Sequence, residues 1–155
     1  MSIIGSFGIC PKNNYRMLVE LIKNNNLTEA EVLIKKIYYE LKDSEEKLEN
    51  PCSGEVFIAL FDYFKTALGV DVRDNITTDM AEKWREITDD FDIIVLCNKE
   101  QLLSLEDIID YNKISQYIND FFQSDYGKIG QTAYTALLNN LRKIDDAHIL
   151  IWHLY

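Results

Sequence analysis

This sequence predicts a helix-rich α+β domain, and three observations carry that prediction. Short apolar or β-branched runs stand at both ends of the chain and near its middle. Between them, apolar residues recur at intervals of three and four, the helical spacing. Only two prolines and six glycines interrupt the pattern, so the elements run with few breaks. A small sheet of about three strands, with five to seven helices packed around it, closes such a chain economically. The 155 residues amount to one domain, 1–155, long enough to bury a core without disulfides or metal. With 47% hydrophobic and 27% charged residues the composition is that of a globular chain, which excludes disorder throughout.

The first strand spans 3–9, apolar and glycine-spaced, and ends at Pro11. A helix over 14–24 follows, with Met17, Leu18, Leu21 and Ile22 on one face and an asparagine run, 24–26, as its stop. Thr28 with Glu31 three residues on reads as a capping box opening the next helix, whose apolar face is Val32, Leu33, Ile37 and Leu41. Ser44 restarts that helix before Pro51 ends it. The clearest helix is 53–69: Ser53 caps it, Val56, Phe57, Leu60, Phe61, Phe64 and Leu68 form its stripe, and Gly69 stands at the left-handed C′ position. Its aromatic stripe is core rather than a cofactor box. Asp79 and Glu82 open a helix carrying Trp84 and Ile87.

The run 91–97 is β-branched and almost uncharged, the pattern of an interior strand. Residues 104–107 open a helical stretch carrying Ile108, Ile109, Ile114, Tyr117, Ile118, Phe121 and Phe122. Residues 131–143 form a further helix, on Ala133, Tyr134, Leu137, Leu138 and Leu141, and end in Arg142 and Lys143, which suit the negative end of the dipole. The terminal run 147–155 is a strand apolar enough to be central.

The formal net charge of −10 is unevenly placed. Residues 40–125 hold 21 acids against eight bases, whereas 1–39 and 126–155 are slightly basic. The acids are densest at 43–49 and 86–92. Such a balance argues against nucleic acid as a direct ligand, which needs a basic stripe, and against an anionic membrane surface. It suits a basic protein partner, whose approach the field accelerates; solubility alone is the plainer explanation. Glu45, Glu46, Glu49, Glu86, Asp89, Asp90 and Asp92 are the candidate partner-binding residues. Asp89, Asp90 and Asp92 lead them, since no base lies among them. Trp84 and Phe91 are potential anchors, although both fit a core.

No apolar run approaches the ~20 residues that cross a bilayer, and the N-terminus lacks the pattern of a signal peptide. Cys10, Cys52 and Cys97 are odd in number and far apart, with no CxxC pair. These features point to a reducing, cytoplasmic compartment. His148 and His153, five apart in a strand, face opposite sides and do not share a metal. Asp89, Asp90 and Asp92 lack calcium-loop spacing and read as a solvated turn. The segment 127–132, with Gly127 and Gly130 before a helix, has neither Walker nor GxGxxG spacing. It reads as a plain loop, with anion binding as the alternative. No catalytic, metal or cofactor motif is present, and a site assembled from scattered residues leaves no trace at this level.

In overall character the chain resembles the immunity proteins of bacterial polymorphic-toxin and contact-dependent growth-inhibition systems, carried by its acidic middle, such as residues 86–92. That resemblance implies a cytoplasmic, non-enzymatic protein, without cofactor, that binds and neutralises a cognate basic toxin domain, commonly a nuclease. The ends are also similar to those of YfbM-like bacterial domains, through residues 1–7 and the closing helix–strand pair at 141–152, a likeness that implies no activity. The alternatives are a small enzyme or anion-binding domain using 127–132, and an adaptor with no toxin involved.

Overall fold

The most apolar run of the chain becomes its central strand. In the computed structural model, which describes residues 4–73, 78–89 and 92–154, β1 (Gly5–Pro11), β2 (Asp92–Leu96) and β3 (His148–Leu154) form one sheet in the order β1-β3-β2. Both pairings are antiparallel, and Trp152 stands opposite Phe7 on one side and Ile94 on the other. All three strands predicted from the sequence are therefore present in an α+β fold.

Helices cover both faces of the sheet. Successive side chains of a strand point to opposite faces, and the apolar residues divide accordingly. Phe7, Ile94, Leu96, Leu150, Trp152 and Leu154 share a core with α3 (Gly54–Leu68), α6 (Tyr111–Phe122) and α7 (Gly127–Lys143). Cys10, Ile93, Val95, Ile149 and Ile151 share another with α1 (Lys12–Lys23), α2 (Leu27–Glu45) and α4 (Thr78–Thr88). A short α5 (Lys99–Ser104) and a 3-10 turn, Leu105–Asp107, join the first layer through Leu102 and Leu105. As the stripe of 53–69 predicts, Phe57, Leu60, Phe61 and Phe64 are buried. Gly69 closes that helix with φ of 70°, where a side chain would be strained.

Several local expectations are corrected. Within the 91–97 run, β2 is an edge strand, paired among the described residues only with β3. Its lack of charge records two covered faces, which an edge strand also has when helices lie on both sides. Thr28 caps nothing: α2 starts at Leu27 after Asn26, and Glu31 instead meets Lys35 at 3.4 Å and Lys83 at 3.9 Å. Within α2, Val32 is exposed, as is Met17 in α1; Ala30 and Ile34 fill the core positions in α2. Ser44 does not restart a helix, because α2 is continuous through Glu45. Ser53 holds the N-cap position of α3 without a side-chain cap bond. Helix α6 begins not at 104 but after Asp110, whose carboxylate accepts from the Asn112 amide at 2.9 Å.

The segment 127–132 is not a loop; it forms the first turns of α7. Its glycines let α7 lie against α6. A Cβ at Gly127 would stand 2.8 Å from Ser115 Cβ and 2.9 Å from the Ser115 carbonyl oxygen, and one at Gly130 would stand 2.6 Å from Ile118 Cγ1. Gly127→Ala is expected to lower stability by about 1 kcal/mol or more, overpacking outweighing the gain in helix propensity. Unchanged or raised stability in urea titration would show that α6 shifts freely to admit the methyl group.

Candidate functional site

The two acidic segments lie at opposite edges of the sheet, one beside β1 and one at the start of β2. Asp92 stands at the end where β3 finishes and β1 and β2 begin, since Leu154 pairs with both Gly5 and Asp92. Residues 44–50 run along the outer edge of β1. The Ile9 amide donates to Ser44 Oγ at 2.8 Å and the Phe7 amide to Asn50 Oδ1 at 2.8 Å. Asn140, fully buried in α7, clamps the same segment from the other side. It accepts from the Glu49 amide at 2.8 Å and donates to the Glu49 carbonyl at 2.9 Å. The segment is thus fixed by its own Ser44 and Asn50 on β1 and by the Asn140 side chain of α7. Residues 86–88 end α4, Asp89 follows it, and Asp92 opens β2 at the other edge of the sheet.

The seven candidate residues fall into distinct settings. Glu46, Glu49, Asp89 and Asp92 are exposed, and among the described residues none of the four forms an ion pair. Asp92 Oδ1 accepts from the Ile93 amide at 2.7 Å, which leaves its charge at the surface. Asp89 holds a left-handed backbone, φ 64°, at the end of α4, a conformation aspartate and asparagine tolerate better than most residues. Glu86 is exposed but shares Lys83 with Glu31, at 3.6 Å, so its charge is partly compensated.

Glu45 departs furthest from expectation. It points inward, only 19% exposed, with Oε1 2.9 Å from His153 Nε2 and 3.7 Å from Lys42 Nζ. It serves the core beneath the sheet and is withdrawn from the candidate surface. Asp90 and Phe91 lie outside the described residues. Trp84 is buried against Tyr38 and belongs to the core, not to an interface.

The histidines occupy opposite faces, as the spacing predicts. His153 is wholly buried, opposite Ser6 and Ile93. His148 lies at the other end of the sheet, its Nδ1 2.6 Å from Asp145 Oδ1. That hydrogen bond, with one from the Ala147 amide, holds the Asp145 carboxyl below the usual carboxylate range. Burial pushes the Cys10 thiol up to about 12, with the nearby Glu40 charge adding to it, and burial pushes Cys52 up to about 11; Cys97 is exposed. At 127–132 the Gly127 amide donates to Asn119 Oδ1 at 2.7 Å, so the first donor an anion would use at the start of α7 is already engaged.

Comparison with protein-family models, with curated proteins and with solved structures finds no match. The candidate carboxylates therefore stand on their own geometry. Sequence reasoning found them but missed Ser44, Asn50 and Asn140, which fix the backbone carrying Glu46 and Glu49. These are polar residues reaching across 35 to 91 positions of chain, and no local periodicity marks them.

Proposed function

We propose that this chain is a non-enzymatic acidic protein that binds and neutralises a cognate basic toxin domain, in the manner of bacterial immunity proteins. The observation that carries this reading is a set of exposed carboxylates at the two edges of the sheet, Glu46 and Glu49 beside β1 and Asp89 and Asp92 at the start of β2, none of them ion-paired among the described residues. An inhibitor of a nuclease needs no chemistry of its own. Its carboxylates compete with phosphate for the same positive site when their geometry fits the partner's Lys and Arg. A fixed backbone favours that role, because less ordering remains to be done on binding. The hydrogen bonds of Asn50, Asn140 and Ser44 supply such a backbone at 44–50.

The test uses the purified toxin domain encoded by the neighbouring gene. Association should be fast at low salt and slow steeply as salt rises. Replacing Asp89, Asp90 and Asp92 together with asparagine should slow association without unfolding the protein. An asparagine suits the left-handed backbone at position 89, and at position 92 it retains an oxygen for the Ile93 amide. Stopped-flow kinetics would reject the proposal if association is indifferent to both salt and the triple substitution. A gene with no toxin beside it, or a toxin domain that is neither bound nor inhibited, would reject it as well.

A further inference from the structure

The end of the sheet where β3 begins carries a cleft that none of the candidate carboxylates lines. Two hollows adjoin there, of about 510 Å³ and about 330 Å³, and both are lined by Lys12, Cys97 and Ile149. The larger is closed by Tyr15, Arg16, Val19 and Glu20 of α1. Together they have the volume of an ordinary small-ligand site.

Two features of α1 are costly without a ligand. Lys12 is the first residue of the helix, where the positive end of the dipole disfavours a cation. Arg16 is one turn further on, a like-charge neighbour at the spacing where repulsion is felt. Neither side chain forms an ion pair or hydrogen bond among the described residues. Tyr15, Val19 and Ile149 supply apolar lining to the same hollow. Glu20, on the same wall, lowers the positive charge of the larger hollow from two to one.

We infer that this cleft binds a small monocarboxylate with an apolar body, its head group held by Lys12 and Arg16 and its body lying on Val19, Tyr15 and Ile149. A doubly charged phosphate fits less well, because Glu20 leaves one net positive charge to meet it. The guanidinium fork of Arg16 suits a carboxylate in two-point contact.

Cys97 supplies a reporter at the junction of the hollows. Cys10 and Cys52 are held protonated by burial, so the exposed Cys97 thiol should react first with a neutral disulfide such as 4,4′-dithiodipyridine. Its thiolate displaces one thiopyridone, whose release is read by absorbance. Octanoate is the probe. It should slow this reaction saturably, while 1-octanol at equal concentration should not. Replacing Lys12 and Arg16 with glutamine should raise the half-protecting octanoate concentration about tenfold or more, the worth of one or two charge-assisted hydrogen bonds. The variant's thermal melt should equal or exceed that of the parent, since no described ion pair is lost and two like charges leave the start of α1. Equal protection by octanol would show an apolar groove without a head-group site and overturn the inference. So would an absence of protection, or protection unchanged in the double variant.

Discussion

Phe61→Ala is expected to destabilise the protein by about 3–5 kcal/mol, the cost of emptying an aromatic site in a close-packed core. Phe61 is 3% exposed, and its ring stands edge-on to Trp152 at 5.3 Å and beside Phe57 at 6.1 Å. Phe57 in turn meets Phe7 at 4.9 Å. The substitution therefore opens the contact between α3 and the central strand, not a rim of the helix. Trp152 depends on packing, against Phe57 at 6.0 Å and over Gly5 as well as Phe61, because its buried indole N–H finds no hydrogen-bond partner among the described residues. A urea titration in which the midpoint falls and the slope is unchanged would give the loss directly. A loss below about 1 kcal/mol would mean that the site collapses around the gap and that α3 contributes little to the core.

Deleting residues 149–155 is expected to abolish soluble expression. β3 is the only strand that touches the other two, so its loss leaves β1 and β2 with no lateral partner. The same deletion removes Leu150 and Trp152 from one core and Ile149 and Ile151 from the other. No single helix serves both faces in this way. Recovery of a soluble truncated chain that unfolds cooperatively would show that the helical layers fold without the sheet.

The central position of β3 was legible because seven nearly continuous apolar residues demand burial on both faces. The 53–69 helix was legible from its stripe and its closing glycine. Less was legible where two arrangements share one pattern. An uncharged run reads the same for a middle strand and for an edge strand with two covered faces, hence the correction at β2. Gly127 and Gly130 suggested a loop, because a glycine needed for close helix contact and one needed for a turn look alike without the partner helix. Glu45 shows the limit for the candidate site. Within a segment dense in acids, only the course of α2 decides that one carboxylate turns under the sheet to His153 while Glu46, its neighbour, faces water. Lys12 and Arg16 drew no notice in the sequence, where the helix spacing begins at 14 and leaves Lys12 outside it, and the cleft they line needs the ends of β2 and β3 beside them.

The amides of Phe7 and Ile9, answered by Asn50 and Ser44, have a consequence for behaviour in a crowded solution. The alternation that turns these two amides outward gives position 11 the same direction, and there a proline has no N–H to offer. A foreign peptide arriving alongside β1 would find the donors at 7, 9 and 11 occupied or missing, and would have to displace two side chains to gain its first bonds. Residues 44–50 thus act as a false fourth strand that cannot be copied. A protein built this way can carry a strand as apolar as β3 through synthesis and storage while giving other chains little template for fibril growth along that side.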